Sequence, residues 1–426
     1  MVVVGTDSHV RFLWICSFVL WGLSLILTYL SSTLPLFDSS SNVVLTSSDA
    51  LWYQFAIRPF LRWDTFHFAH IARHGYVYEH EWAFFPGAPL VMRTVARFLH
   101  FVCKDEGQLL SYEDLLFGGM VAALSCGSVI NLYRLTLHHM RSPNVALLAS
   151  LLSLLPSSPV TLRLAPSTEP FFTYLSYKGM LYCATGQWLL ASGCFAVACM
   201  FRSNGIILAG FMIWGMLVEP FLSSRKITIT RLLRSVVLTS TILMPFVWHQ
   251  YSAYIAFCTI VTPAPWCSHV PPLIYGYAQS KYWNVGFLQY WTPEQLPNFL
   301  IASPPLVLLL SYSGHYLQRA LLPRLRASLI SQHIPEKDGS KTQSASPFLA
   351  PSIAPHAIHA LILTLTLLFA AHTQIVLRLA ASMPFTYWAA AWLLVEHRRW
   401  GMYWVSWSLV WGAVSIILWT TFLPPA

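Results

Sequence analysis

The sequence predicts an all-α protein that crosses a membrane many times. Of the 426 residues, 56% are hydrophobic and only 10% are charged, whereas soluble domains carry roughly 25% charged residues. Apolar runs long enough to span a bilayer recur from one end of the chain to the other. These observations exclude a large soluble domain, and we treat residues 1–426 as a single integral membrane domain.

The apolar runs predict about eleven transmembrane helices. We place them at 10–30, 115–137, 144–164, 171–185, 187–202, 205–222, 235–258, 298–318, 357–377, 382–396 and 401–421. The first run is too long for the core of a signal peptide and lacks a small-residue cleavage site. We therefore interpret it as a retained signal anchor.

Lysine and arginine residues between the runs predict the orientation. They concentrate in alternate connections, 138–141, 224–234, 319–341 and 398–399, which the positive-inside rule places in the cytoplasm. The opposite connections then face the lumen, and the first and fourth of these are large, 31–114 and 259–297. The long cytoplasmic loop is 319–350. Cytoplasmic loops account for the net charge of +9, and no basic patch interleaved with aromatic residues predicts nucleic-acid binding.

One stretch of the first lumenal loop, 61–93, gathers the titratable side chains of an otherwise apolar chain. They are Asp64, His67, His70, His74, Glu79 and Glu81. Read as a helix, the stretch from Asp64 places the three histidines on one face beside the carboxylate. So many ionisable groups in so apolar a chain favour a chemical role here. Further on, 84–103 carries Arg93 and Arg97 and predicts a helix at the membrane interface.

The fourth lumenal loop, 259–297, is the second informative stretch because it is rich in tryptophan, tyrosine and proline. An aromatic belt at the bilayer surface would explain these rings. A lid over a sugar would explain them equally, since tryptophan and tyrosine rings stack on sugar faces. Two cysteines, Cys103 and Cys267, fall in the predicted lumenal segments, which permits a disulfide between them, and the sequence leaves open whether they pair.

Four segments together resemble the PIG-V family, the second mannosyltransferase of glycosylphosphatidylinositol (GPI) anchor assembly. They are RWDTFHFAHIARHGYVYEHEWAFFP at 62–86, FRSNG at 201–205, QSKYWNVGFLQYWTPEQLPNF at 279–299 and RLAASMPFTYWAA at 378–390. The resemblance implies transfer of mannose from dolichol-phosphate-mannose to a one-mannose GPI precursor, giving an α-1,6-linked second mannose. It also implies an endoplasmic reticulum membrane location and a GT-C-type architecture with an acidic residue in the first lumenal loop. In LAPSTEP at 164–170 only Ala165-Pro166 and Glu169 follow the family pattern.

The implied chemistry requires a general base for the acceptor hydroxyl and a cation for the departing phosphate. A polyprenyl phosphate leaves without being protonated, so the carboxylate pair of glycoside hydrolases is not needed. Displacement from a β-linked donor to an α-linked product implies inversion. We assign the base to Asp64, whose neighbours Trp63 and Phe66 would limit access of water; the alternative is an aspartate that caps the following helix.

The other candidate residues are assigned to substrate binding. They are Trp63, His67, His70, Glu79, Glu81, Glu169, Arg202, Asn204, Gln279, Lys281, Trp283 and Trp291. Several have a second interpretation: Arg202 could extend to the interface rather than bind phosphate, and the two loop glutamates could cap a turn. The histidines could also hold a metal or form a hydrated face, but no HExxH pattern supports a metal.

The sequence predicts no cofactor and leaves the metal requirement open. The predicted partners are the two lipid-linked substrates and the bilayer, and the resemblance allows for a small accessory membrane subunit. Two alternative functions remain at this point, a multi-pass transporter and a non-catalytic membrane scaffold. A transporter is favoured by polar residues within spans, such as His249 and Arg378, but the chain lacks a visible repeat.

Overall fold

The computed structural model of the chain describes residues 2–45, 56–103, 110–224, 226–330 and 346–424. These residues form helices joined by turns, and no strand occurs among them, which confirms the all-α prediction. The α-helices are α1 (Val2–Ser31), α2 (Ser40–Val44), α3 (Asp64–His74), α4 (Gly87–Cys103), α5 (Tyr112–Leu124), α6 (Ser128–Met140), α7 (Pro143–Ser153), α8 (Pro159–Arg163), α9 (Glu169–Ala184), α10 (Trp188–Cys199), α11 (Ala209–Ile213), α12 (Glu219–Ser224), α13 (Ile229–Cys258), α14 (Ile274–Trp283), α15 (Leu296–Tyr316), α16 (Leu322–Ile330), α17 (Ala354–Phe369), α18 (Val376–Leu379), α19 (Pro384–Glu396) and α20 (Arg398–Thr420).

Seven helical stretches of the described chain are long and apolar enough to cross a membrane. They are Thr6–Ser31, Tyr112–Met140, Ser203–Ser223, Ile229–Cys258, Pro293–Ser328, Pro351–Phe369 and Arg398–Thr420. The other four predicted spans coincide with the shorter helices α7, α9, α10 and α19. Proline limits these helices: α7 ends shortly before Pro156, and α19 begins at Pro384, because proline is tolerated in the first turn but not in the interior of a helix.

The described part of the predicted lumenal loop 31–114 contains three α-helices, α2, α3 and α4. In α4, Ala88, Met92 and Ala96 recur at a spacing of four and are buried, while Arg93 and Arg97 are exposed. This pattern confirms the amphipathic helix predicted for 84–103. Its position at a membrane interface remains a prediction.

Two glycines of α5 allow the elements around the candidate site to approach closely. A Cβ atom on Gly118 would lie 2.6 Å from the backbone nitrogen of Ala96, and one on Gly119 would lie 2.4 Å from Cβ of Pro166. Larger residues would therefore push α4 and the Pro166 turn away from α5. The Pro166 turn leads directly to Glu169, so this packing sets the position of that carboxylate.

The predicted fourth lumenal loop, 259–297, begins with a disulfide between Cys258 and Cys267. Cys267 therefore does not pair with Cys103, which answers the question that the sequence left open. Cys258 is the last residue of α13, and the chain folds back on it within nine residues. Because the chain reverses direction within nine residues, the sulfur atoms of Cys258 and Cys267 come together. A pairing of Cys267 with Cys103 was suggested only because both lie in segments predicted to face the lumen.

Polar residues inside α13 hold the two large loops in place. Nε2 of His249 lies 3.0 Å from the carbonyl oxygen of Trp82 in the first loop. Oε1 of Gln250 accepts a hydrogen bond of 3.0 Å from the backbone N–H of Tyr275 in the fourth. Both side chains are buried. Their polar character within an apolar run thus has a structural explanation that does not require a transport path.

The segment predicted as a cytoplasmic loop, 319–350, is helical in its first part. The helix α15 continues through a π turn, Leu317–Leu321, into α16, which ends at Ile330. The apolar residues of 298–318 predicted the membrane span. They did not predict that the helix continues into the more polar residues up to Ile330. Residues 331–345 of the predicted loop lie outside the described residues.

Candidate active site

Four charged side chains, three from α3, α9 and α18 and one from the extended residue after α10, form one continuous chain of contacts. Nη1 of Arg378 lies 2.8 Å from Oδ2 of Asp64, and Nη2 of Arg378 lies 2.6 Å from Oε1 of Glu169. The same oxygen of Glu169 lies 2.7 Å from Nη1 of Arg202. Two carboxylates and two guanidinium groups therefore alternate and balance in charge, which is what groups removed from water require.

Asp64 is the first residue of α3, and its carboxylate is not a helix cap. The preceding residue, Trp63, occupies the cap position at φ 51° without a side-chain cap bond. The carboxylate bonds to Arg378 instead of to a backbone N–H. A negative charge in the first turn is still favoured by the helix dipole. The geometry supports a chemical role for Asp64 and removes the capping alternative.

Glu169 is the buried centre of the contact chain. Its side chain is 2% exposed, and it begins α9 directly after Thr168. Arg378 donates to it through Nε and Nη2, and Arg202 donates through Nη1. A carboxylate engaged by two guanidinium groups orients both of them rigidly. Glu169 therefore positions the arginines and is not available as a base.

Asp64, by contrast, is accessible. Its side chain is 38% exposed, and Oδ1 has no hydrogen-bond partner in the described part of the chain. Nε and Nη2 of Arg202 likewise have no partner among the described residues, while Arg378 uses three of its five N–H groups in the contacts above. The site thus offers an open carboxylate oxygen beside unused guanidinium donors.

Aromatic rings form a wall next to Asp64. The imidazole of His67, one turn further along α3, stacks on Phe84 with ring centroids 4.4 Å apart. Trp283 of α14 meets both rings edge-on, at 6.4 Å from His67 and 5.6 Å from Phe84. Burial lowers the pKa of His67, and the negative charge of Asp64 opposes this shift only in part. His67 is therefore neutral near pH 7 and can both donate and accept a hydrogen bond.

Glu81 holds the turn that follows α3. Its Oε2 accepts hydrogen bonds from the backbone N–H groups of Val77 and Tyr78, at 2.8 and 2.9 Å. Its Oε1 lies 2.5 Å from Nδ1 of His70. The side chain is 2% exposed, and all these contacts are local. Glu81 thus shapes the loop and fixes the orientation of His70.

Glu79 joins the two large loops. Its Oε2 accepts hydrogen bonds of 2.7 Å from Nζ of Lys281 and from the hydroxyl of Tyr282. Partial burial raises the pKa of Glu79, but the hydrogen bonds from Lys281 and Tyr282 outweigh burial, so its pKa is lowered. Glu79 and Lys281 therefore pair with each other and fasten α14 over the first loop. Such an exposed pair contributes about 0–1 kcal/mol.

Three further candidates lie at the edge of this arrangement. The side-chain amide nitrogen of Asn204 is buried and has no partner among the described residues. Gln279 is half-buried on α14. Trp291 stacks on Phe369 at 5.5 Å and donates its indole N–H to the carbonyl oxygen of Leu368. Trp291 therefore anchors the fourth loop to α17, away from the wall formed by Trp283.

Among the described residues, no group of three or more histidine, cysteine, aspartate or glutamate side chains is placed to hold a metal ion. His67, His70 and His74 instead contact rings and carboxylates: His70 meets Glu81, and His74 lies 4.9 Å from His70 between ring centroids.

Comparison with known proteins gives this geometry its context. Residues 9–426 match the family described as mannosyltransferase (PIG-V). The chain belongs to the PIG-V mannosyltransferase family. GPI mannosyltransferase 2 of Cryptococcus neoformans is 34% identical over 94% of this chain and 95% of its own length. The GPI alpha-1,6-mannosyltransferases 2 of Mus musculus and Homo sapiens are 34% and 32% identical, each over 79% of this chain and 73% of their own.

Among solved structures, the Archaeoglobus fulgidus oligosaccharyltransferase aligns with 94% of this chain and 53% of its own at 10% identity. The TM-score of 0.44 is too low to carry an argument. The PIG-V match confirms the family resemblance of the four sequence segments, and it makes the chain a mannosyltransferase rather than a transporter or a scaffold.

Arg378 is the member of this PIG-V site that sequence reasoning did not assign to substrate binding or catalysis. It stands 314 residues after Asp64, so no local spacing links the two. The sequence nevertheless contains two indications of its importance: it is an arginine between apolar runs, and it opens the family-like segment at 378–390. Charged residues in such surroundings are usually paired and functional.

Proposed function

We propose that this chain transfers mannose from dolichol-phosphate-mannose to a one-mannose GPI precursor and forms the α-1,6-linked second mannose. The exposed carboxylate of Asp64, paired with Arg378, which also meets the Glu169–Arg202 pair, is the observation that carries this proposal. The acceptor is inferred from relatives that align with most of the chain and are GPI mannosyltransferases. We place the reaction in the endoplasmic reticulum membrane with the site on the lumenal side.

In the reaction, the acceptor hydroxyl oxygen attacks the anomeric carbon of the donor mannose. The bond from that carbon to the phosphate oxygen breaks, and dolichyl phosphate leaves with the electron pair. The hydroxyl proton passes to Oδ1 of Asp64, the oxygen not engaged by Arg378. A single displacement inverts the anomeric configuration, so a β-linked donor gives an α-linked product. General-base catalysis of this kind contributes about 10²–10⁴-fold in rate.

The arginines stabilise the departing phosphate. Arg202 keeps Nε and Nη2 unused among the described residues, and Glu169 fixes both guanidinium groups in place. Guanidinium groups bind phosphate oxygens with two parallel hydrogen bonds. Because the groups are oriented before substrate arrives, little reorganisation is needed as negative charge develops. In this proposal the arginines bind the phosphate, and Glu169 acts as a positioning residue that orients them.

A transfer assay tests the proposed function. Purified protein in lipid nanodiscs would receive dolichol-phosphate-[³H]mannose and a synthetic one-mannose GPI glycolipid, with the zero-mannose glycolipid as acceptor control. We expect label in a two-mannose product that a linkage-specific α-1,6-mannosidase releases. Transfer from a nucleotide sugar but not from the lipid donor would contradict the donor assignment. Failure that a partner membrane protein restores would instead reveal an accessory subunit.

Trp283 and Trp291 provide a matched test of the aromatic wall. Trp283→Ala removes a ring that borders His67 and Phe84, and we expect kcat/KM to fall about tenfold, since stacking and packing of one aromatic ring contribute roughly 1–1.5 kcal/mol. Trp291→Ala should lower the melting temperature by loosening the fourth loop while leaving kcat/KM of the folded fraction nearly unchanged. Equal kinetic losses in the two variants would refute a distinct role for the wall.

A further inference from the structure

A cavity of about 270 Å³ lies against α3. Its lining includes Phe66 and His70 of α3, and His80 from the following turn. Because an α-helix turns by about 100° per residue, Phe66 and His70 project roughly opposite to Asp64, with His67 between the two sides. His67 borders both the cavity and the aromatic wall, so it connects the cavity to the candidate base.

The chemistry of the lining suits an uncharged polar ligand. None of the described residues that line the cavity is a lysine or an arginine. Its carboxylate, Glu81, is already engaged by His70 and by two backbone N–H groups. The other lining side chains are apolar, from Val44, Leu61, Phe66 and Ala69, or are rings that carry a polar atom, from His67, Tyr78, His80 and Tyr112. Aromatic faces with a few hydrogen-bonding groups at their edges are the usual lining of a sugar site.

The two sides of α3 therefore differ in what they can bind. A phosphate requires cationic donors, and these lie with Arg378 and Arg202 on the Asp64 side. The reacting hydroxyl of the acceptor must also reach Asp64. An acceptor that meets Asp64 from the side opposite the arginines extends past His67 into the cavity. The volume holds about nine water molecules at ~30 Å³ each, which is room for one hexose ring.

We propose that this cavity binds the sugar of the acceptor that adjoins the reacting mannose, so that recognition of the acceptor glycan is separated from recognition of the donor phosphate. The proposal rests on the proposed function. It assigns His80 and Tyr112 to acceptor binding, and it makes His67 the boundary between acceptor and donor.

Steady-state kinetics of His80→Ala tests the proposal. His80 touches His67, Tyr78 and Tyr282 through ring contacts of 5.3–5.7 Å, and it has no role in the ion-pair chain. We expect the KM for the one-mannose glycolipid to rise about tenfold, which corresponds to 1.4 kcal/mol, with the KM for dolichol-phosphate-mannose unchanged. His80→Gln, which keeps hydrogen-bonding groups, should recover much of the loss.

The matched control is His269→Ala, since His269 is an exposed histidine of the fourth loop that does not line the cavity. Its two KM values should stay at the wild-type level. A rise in the donor KM for His80→Ala would overturn the proposal and assign the cavity to the donor lipid, and unchanged KM values for both substrates would overturn it as well. If His80→Ala does not fold, Tyr112→Leu removes another ring that lines the cavity. The same changes in the two KM values then decide the result. Absence of transfer by the wild-type protein that no partner membrane protein restores would instead reject the proposed function.

Discussion

Asp64→Asn should reduce mannose transfer by about a hundredfold to ten-thousandfold, the usual cost of removing a general base. The amide oxygen of asparagine can still accept the hydrogen bond from Arg378, so the shape of the site is kept. It cannot take the proton of the acceptor hydroxyl. The measurement is kcat in the nanodisc assay, together with the melting temperature, which should change little because Asp64 is 38% exposed.

Asp38→Asn serves as the control for that variant. Asp38 lies in the same predicted loop, is partly exposed, and accepts hydrogen bonds of 2.7 and 2.5 Å from the backbone N–H and the hydroxyl of the neighbouring Ser40. It should transfer mannose at the wild-type rate. A near-normal rate for Asp64→Asn would remove Asp64 as the base, and Glu79 would become the next accessible carboxylate to test.

Arg378→Gln should both inactivate and destabilise the protein. The change leaves Asp64 without its partner and leaves the buried Glu169 with Arg202 as its remaining cation. Breaking a buried ion pair on one side costs about 3–5 kcal/mol, which should appear as a clear fall in melting temperature in detergent. Mannose transfer should fall by at least about a hundredfold in the fraction that remains folded. The guanidinium group that donates hydrogen bonds to the departing phosphate is lost as well.

A double variant separates the two effects of Arg378. Glu169→Gln combined with Arg378→Gln removes both buried charges, so much of the stability should return. Activity should not return, since the arginine and its orienting carboxylate are both absent. Recovery of activity along with stability would show that Arg378 acts only through folding. Arg93→Gln, at an exposed arginine of α4, controls for the loss of one positive charge.

The sequence predicted the helical class and the approximate places of the spans because apolar runs are local properties of the chain. It predicted the lengths of some helices poorly, as in α7, where Pro156 ends a run that hydropathy alone extends to 164. The disulfide was missed for a related reason. The predicted side of the membrane limited which cysteines could pair with Cys267. Only the reversal of the chain after α13 brings Cys258 close enough to bond to it.

The sequence predicted most of the residues of the candidate site. It did not predict which of these residues contact each other. Asp64, Glu169 and Arg202 stood out because charged residues are rare in this chain, and the structure brings them into one chain of contacts. Arg378, which connects Asp64 to Glu169, gave no local indication of either partner. Glu79 and Lys281 were both assigned to substrate, whereas the structure pairs them with each other. Sequence proximity cannot reveal such pairs between loops about 200 residues apart.

The distance along the chain between Asp64 and Arg378 has a consequence for biosynthesis. The two residues are 314 positions apart, and Glu169 precedes Arg378 by 209. At ~5–20 residues per second, a ribosome needs about 15–60 seconds after making Asp64 before it makes the arginine that neutralises it. During that interval the nascent chain holds Asp64 without this counter-charge and Glu169 with Arg202 alone. A chain that stops before residue 378 therefore leaves unbalanced carboxylates in an apolar bundle, and we expect quality control to remove it rather than to accept it as a smaller enzyme.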